Sequence, residues 1–315
     1  MTKDKTKQIN PKEKYKLSNW SEYNKSLKKR GSLTIWFEEE VKNNWLYKGP
    51  QKPGGKKIYG QVAIEFCLTI RSLFRLPYRQ TEGMVSSLMT LSCLSLPVPS
   101  YTQFNRRTKH LSVKLKDSNE DVHIAVDSTG LKVYGEGEWK VRKHGWCKHR
   151  TWRKMHLAVN VDTLVIEAVS ITGNNADDAS QVQPLLDEIS SKVISFRGDG
   201  GYDKKKARIA LEKSRVKQII PPQENAVKKE EGEPYSFERN TAIERIKETG
   251  RATWKKEIGY HKRSLAEVSM YRYKTIFSGT LQSRKIEYEK KEVAFKCKLL
   301  NQMLFLGRAK SYKGG

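Results

Sequence analysis

The sequence is short of the features that mark secreted, membrane-spanning or disulfide-built proteins. No run of about 18 apolar residues occurs in its 315, so nothing in it reads as a bilayer span. The first ten residues are Lys-rich without an apolar stretch and do not read as a secretory signal. There are four cysteines, Cys67, Cys93, Cys147 and Cys297, and no C-x-x-C pair. That argues against a disulfide framework and a four-cysteine zinc site, and suits a reducing, cytoplasmic setting. No internal repeat is visible. Acid is scarce beside base: 35 Asp/Glu against 61 Lys/Arg, a formal charge of +26.

The placement of that charge is informative. Residues 1–118 carry 23 Lys/Arg against 9 Asp/Glu, residues 119–250 carry 22 against 21, and residues 251–315 carry 16 against 5. Two basic flanks enclose a near-neutral middle that holds most of the acids. A basic surface releases counterions from a phosphate backbone and steers its approach, so a nucleic acid is the expected partner. A solvated ribosomal or membrane-surface protein is the plainer alternative.

Along the chain, residues 1–30 read as a polar, mobile arm, and 33–47 as a short helix followed by a turn-rich stretch with Pro50, Pro53, Gly54 and Gly55. Helices are expected over 59–74, 81–93 and 101–111, with Pro77 breaking the chain after the first and Ser100 capping the third. The third projects Gln103, Asn105, Arg106, Arg107 and Lys109. This suggests a helix-turn-helix module with Arg106, Arg107 and Lys109 turned to DNA, although an ordinary three-helix bundle fits the same pattern. From about residue 122 the apolar runs shorten to strand length: 122–127 with a hairpin partner at 130–134, then 155–161, 165–171, 193–196 and 217–220. Helices are expected over 176–190 and 204–214, an irregular insertion over 221–250 and one long helix over 256–277. The fold class expected is α/β (α+β) with a mixed sheet. The domains expected are a basic arm and helical DNA-binding part (1–118), a catalytic core (119–280, insertion about 221–255) and a basic helical tail with a small apolar face (281–315).

Three acids stand out. Asp127 ends an apolar strand run, where an unpaired carboxylate would be costly and needs a partner or an ion. Asp199 closes a second apolar strand among glycines that allow close backbone approach. Glu267 belongs to the spacing Tyr260, Arg263, Glu267, Lys274, and at 100° per residue all four fall within about 60° of arc on one helix. Hard divalent cations favour carboxylates, water and phosphate oxygens, and a pair of them can serve an in-line displacement at phosphorus. Asp127 would bridge two ions, with Asp199 on one and Glu267 on the other. Arg263 and Lys274 would bind flanking phosphates, and Tyr260 would stack or donate to the backbone. Taken singly, each acid has a plainer reading: an i,i+4 surface ion pair for Arg263 and Glu267, and turn residues for the aspartates.

The tyrosine–arginine–glutamate–lysine spacing resembles the signature of the DDE transposases of bacterial insertion sequences. Val126-Asp127-Ser128-Thr129-Gly130 and Gly198-Asp199-Gly200-Gly201-Tyr202-Asp203 resemble the blocks around their two aspartates. The insertion-sequence-five family is the one most resembled, through Gly135-Glu136-Gly137-Glu138-Trp139, Lys143-His144-Gly145 and the segment from Trp152-Arg153-Lys154 to Leu157. The resemblance runs over about 59–300. It implies a ribonuclease-H-like catalytic domain, two Mg²⁺ or Mn²⁺ ions, binding of terminal inverted repeats and target DNA, cleavage, and transfer of freed 3′-hydroxyls. It further implies a homo-oligomer at the paired ends and a bacterial, nucleoid-associated setting. A catalytically silent regulator would be expected to have lost an acid, and none is lost. A nuclease of the same fold would need neither the Tyr-Arg-Glu-Lys helix nor a large basic N-terminal part.

The segment 135–156 holds seven Lys/Arg against two Glu, interleaved with Trp139, Trp146 and Trp152. Trp139, Trp152, Arg153 and Lys154 are accordingly expected at DNA, by stacking and phosphate pairing, unless the tryptophans are simply buried in a hairpin. His144, Cys147, His149 and His156 match no standard zinc spacing.

Overall fold

The spine of the molecule is a single 13-residue strand, β2 (Val122–Tyr134). The computed structural model describes residues 15–50, 53–54, 56–115, 120–134, 151–230 and 232–313. β2 pairs antiparallel with β3 (Thr151–Asn160), which pairs antiparallel with β4 (Ile166–Gly173). On its other side β2 runs parallel to β5 (Val193–Arg197), which runs parallel to β6 (Lys217–Ile219). The sheet order is therefore β4-β3-β2-β5-β6, with three antiparallel strands followed by two parallel ones. These are the order and directions of a ribonuclease-H-like core, the mixed sheet expected above.

Both faces of the sheet are covered. One carries Val122, Ile124, Val126, Ala158 and Phe196 against α7 (Val182–Glu188) and α8 (Lys205–Lys213), through Val182, Leu185, Ala207 and Leu211. The alternate residues Ala125, Leu131, Met155 and Leu157 face the other way, as the two-residue period of a strand demands. They join a larger cluster fed by α4 (Gln61–Phe74), α5 (Tyr78–Leu91), α6 (Tyr101–Thr108), α11 (Ser264–Phe277) and α12 (Ile286–Phe305). Residues from both sides of position 118 thus share one hydrophobic cluster.

Several elements depart from expectation, each for a physical reason. The arm read as mobile folds from residue 15. Tyr15–Leu17 forms β1, paired antiparallel with β7 (Ser311–Lys313), and Trp20–Arg30 forms α1. Glu22 lies in the first turn of α1 and Lys28, Lys29 and Arg30 in its last, an order that suits the helix dipole. Tertiary bonds then fix it: Arg30 donates to the Gly307 carbonyl at 2.7 Å and Asn19 to that of Arg308 at 2.9 Å. The helix expected over 33–47 is broken into α2 (Leu33–Trp36) and α3 (Glu39–Asn43). The hairpin expected at 130–134 is a continuation of β2. Gly130 makes no turn; a Cβ there would meet the Trp152 ring at 3.1 Å, so the glycine makes room for that ring.

The insertion is not irregular throughout, since α9 (Ser236–Thr249) and α10 (Arg251–Glu257) lie within and just after it. The long helix expected over 256–277 is interrupted at Gly259, which adopts φ +64°; a 3-10 turn, Tyr260–Arg263, leads into α11. Its inward face is Ala266, Met270, Tyr273 and Phe277, while Val268 is exposed. Finally, α12 carries no mere narrow apolar strip. Its Val293, Phe295, Cys297, Leu299, Leu300, Met303 and Leu304 are all buried, and Glu292 and Lys296 neutralise each other inside at 2.6 Å. Asn301 on α12 accepts from the Ile166 N–H and donates to the Ile166 carbonyl, both at 2.9 Å, which satisfies the otherwise open edge of β4.

In the N-terminal part, α4, α5 and α6 pack together as expected. Gln103 accepts from the Ser100 backbone N–H at 3.1 Å and Glu82 on α5 accepts from that of Tyr101 at 2.6 Å, so two side chains cap α6. No helix among the described residues is long and apolar enough to cross a membrane.

Candidate active site

Asp127, expected at the end of its strand, lies inside β2, which runs on past it paired to β3, whereas Asp199 stands two residues beyond the end of β5. Ala125 on β2 pairs with Arg197 on the parallel strand β5, so Asp127 and Asp199, each two residues further on, lie at the same level, Asp127 still paired with Leu157 of β3 and Asp199 just past the last pair of β5. Asp127 follows buried Ile124, Ala125 and Val126 and accepts a hydrogen bond from the Ser128 N–H at 2.8 Å. Burial raises its carboxyl above the usual range. Asp199 and Glu267 push in the same direction, while the Ser128 N–H and Arg263 oppose it. Asp199 and Glu267 therefore both lie within electrostatic reach of Asp127.

Asp199 caps a 3-10 turn, Gly200–Tyr202, by accepting from the Gly201 N–H at 2.8 Å. The glycines around it have steric reasons. A Cβ on Gly201 would stand 2.9 Å from the Asp199 carboxylate, and one on Gly198 would meet the rings of Tyr202 and Phe196 at 2.8 and 2.9 Å. The Tyr202 ring is buried and its hydroxyl has no partner among the described residues. Burial, then the charges of Asp178, Asp127 and Asp199, drive its hydroxyl well above the ordinary range.

Glu267 reaches the site from α11, across the face on which Asp127 lies. Arg263 links the two, donating to Asp127 Oδ2 at 3.0 Å and to Glu267 Oε1. Burial opposes its charge, yet Glu267, Tyr260 and Asp127 together hold its pKa above the ordinary value. Lys274, two turns beyond Glu267, donates to the Thr129 hydroxyl at 2.6 Å, and burial lowers its pKa. Tyr260 lies beneath the Lys255 ammonium, 5.0 Å from its ring centre, and burial raises its pKa. The Tyr-Arg-Glu-Lys set thus gathers at one place even though its first two members sit on a 3-10 turn and not on the α-helix. Thr129 and Tyr202 were not singled out from the sequence; the signal available for Thr129 was its strand parity with Asp127.

Among the described residues, no three Asp, Glu, His or Cys side chains close on one point tightly enough to hold a metal ion as they stand. The guanidinium between Asp127 and Glu267 explains the spacing, because it supplies the positive charge that clustered carboxylates require. The donor set itself suits a divalent cation: three carboxylates, all hard oxygen ligands, with a raised pKa on one that a cation would lower.

The remaining predicted positions fall elsewhere. On α6, Arg106 is exposed, Arg107 donates to the Tyr59 carbonyl at 2.5 Å, and Lys109 pairs with Glu287 at 3.0 Å. On β3, Arg153 forms an ion pair with buried Glu289 at 2.7 Å, and Lys154 binds Asp178 at 2.9 Å and the Ala176 carbonyl at 3.0 Å. Trp152 packs over Gly130 with the Lys132 ammonium 5.3 Å from its ring centre. Trp139, with residues 135–150 around it and the arm before residue 15, lies outside the described residues. His156 is buried, and its Nε2 bonds the Thr172 hydroxyl at 2.9 Å.

A ribonuclease-H-like sheet with one aspartate on its long central strand, a second just past the neighbouring parallel strand, and a helix glutamate joined to the first through an arginine, defines an enzyme class that transfers nucleotidyl groups. The chain belongs to the DDE transposases: the family described as "Transposase DDE domain" matches residues 118–302, and a second family of the same description matches 28–136. Among solved structures the chain is similar to the Drosophila P element transposase strand transfer complex, at 9% identity and a TM-score of 0.31, covering 91% of this chain and 87% of that one. That likeness is too remote to bear on residue roles.

Proposed function

We propose that this transposase is of the insertion-sequence-five kind, that it binds the terminal inverted repeats of its own element, and that it cuts there and joins the freed 3′-hydroxyl ends to target DNA. The observation that carries the reading is that Arg263 joins Asp127 to Glu267 while Asp199, level with Asp127 on the neighbouring strand, acts on the same Asp127 carboxylate. Those three carboxylates are the residues that would hold two Mg²⁺ or Mn²⁺ ions, whose chemistry is to stabilise the attacking and leaving oxygens at phosphorus. Arg263 acts as a stand-in counter-charge in the free protein and turns to a phosphate oxygen when DNA and cations arrive. Lys274 serves a neighbouring phosphate, and Tyr260 flanks Arg263.

The division of labour follows the charge. Residues 1–118 grip the ends, with Arg106 the side chain of α6 most open to DNA; 119–280 carry the chemistry; and the basic 281–315 adds phosphate contacts beside its packing role. Of the β3 residues, Trp152 keeps a ring near the surface for DNA, whereas Arg153 and Lys154 serve first as internal ion-pair partners. Two ends are joined in concert by a homo-oligomer, in a bacterial cytoplasm on the nucleoid.

The test is to incubate the protein and Mg²⁺ with labelled DNA carrying its element's end and to map the nicks. Asp127→Asn and Glu267→Gln should each abolish cleavage while end binding stays within the parent's range. Loss of binding in both variants, or cleavage that survives in either, would sink the assignment.

A further inference from the structure

One helical turn beyond Glu267 lies a side chain that the chemistry above does not use. Tyr271 on α11 is 71% exposed, although tyrosine is more often half-buried, and it makes no hydrogen bond, ion pair or ring contact among the described residues. At 100° per residue it lies about 40° around the helix from Glu267, with Lys274 about 20° to the other side. Val268, also exposed, stands three residues before it and adds an apolar floor. One face of α11 therefore presents, side by side, a carboxylate, a cation engaged with an oxygen atom (Lys274) and an open aromatic ring, and the turn leading into it adds a second such cation, Arg263.

That combination matches a nucleotide more closely than it matches a protein surface. The cations suit phosphate, and the flat ring suits a base, which offers its π face only when it is unstacked from its neighbours. A protein partner docked on Tyr271 and Val268 would lie across Glu267 and obstruct the site it adjoins. Resting on the transposase reading, we propose that Tyr271 is a stacking platform for an unpaired base next to the scissile phosphate, so that α11 binds the base as well as the backbone of the strand end. The ring contributes by contact alone, since no proton or bond is exchanged. A phenylalanine or tryptophan should serve in its place.

The experiment compares two probes in Ca²⁺, which permits binding without cutting: a blunt duplex, and the same duplex with a short single-stranded 3′ tail containing 2-aminopurine. The full-length parent should prefer the tailed probe and quench its fluorescence. Tyr271→Ala should weaken tailed binding about tenfold, the scale of one base–aromatic stack, and leave blunt binding and melting temperature nearly unchanged. Tyr271→Phe should behave as the parent. Equal losses on the two probes, an unaltered tail preference in Tyr271→Ala, or a change of oligomeric state with tail preference intact would each overturn the stacking role. The last of these would mark the patch as a protein contact. Absence of any DNA binding by the parent would instead bring down the transposase reading and this inference with it.

Discussion

Two arginine–carboxylate clusters flank the loop that follows β5, and they are built for opposite purposes. Arg263 joins Asp127 and Glu267, whose side chains are 20% and 52% exposed. On the other side, Asp203, only four residues past Asp199, accepts from Arg208 at 2.9 Å and from Arg239 at 3.1 Å, and both Asp203 and Arg208 are 1% exposed. Residue types and distances are alike; burial is not. A half-open pair can exchange its partner for phosphate or metal at little cost, because water stabilises the separated charges. A closed pair cannot, because each charge left behind would lie unpaired in a low dielectric. The charge proposed to serve chemistry is thus placed at the rim, and charge that holds the loop is placed beneath it. Arg239 comes from α9, so the insertion is tied directly to the turn that presents Asp199.

The comparison can be broken most directly at Asp203. Asp203→Asn should cost about 3–5 kcal/mol of folding stability, because two guanidinium groups lose a buried counter-charge. Urea denaturation reads this, and a variant as stable as the parent would refute the distinction. A smaller effect is expected at His156, which is buried beside Asp178 and Lys154. Burial, with Lys154 adding and Asp178 opposing, lowers its pKa from 6.5 to about 4. The unfolded chain takes up this proton near 6.5 and the folded one does so only near 4, so its stabilising contribution is complete above 6.5 and falls away as pH drops towards 4. Over that window the loss should reach about 3 kcal/mol. His156→Gln should flatten that part of the stability–pH curve, and an unchanged slope would show that His156 is not its source. The smallest effect is expected at Lys109, whose bond to Glu287 lies in water. Lys109→Ala should leave the melting temperature where it was; a clear drop would mean that rim pairs also carry the fold.

The same contrast explains what could be read from the sequence. Strands β3 to β6 were legible because apolar runs of strand length are bounded by turn residues, and the two aspartates were legible because each interrupts such a run. The α9 helix was not, since only Ser236 and Ile243 are buried along its 14 residues and no apolar stripe shows. The depth of α12 was concealed by Glu289, Glu292 and Lys296, which look solvated in a string of letters but are neutralised inside. The stretch 130–134 was misread as a hairpin partner because a glycine that makes room for a ring 22 positions away carries the same letter as one beside a bend in the chain. The site was legible as a set of spacings; what spacing could not convey was the break at Gly259 or the use of Arg263 as a clasp between two acids.

The antiparallel ribbon of β1 and β7 has a consequence for synthesis. Tyr15–Leu17 leaves the ribosome early, but its partner Ser311–Lys313 emerges almost 300 residues later, and Arg30 and Asn19 likewise wait for Gly307 and Arg308. The first basic helix therefore stays unclasped until residues 307–313 have emerged, so a chain terminated before them would leave it undocked.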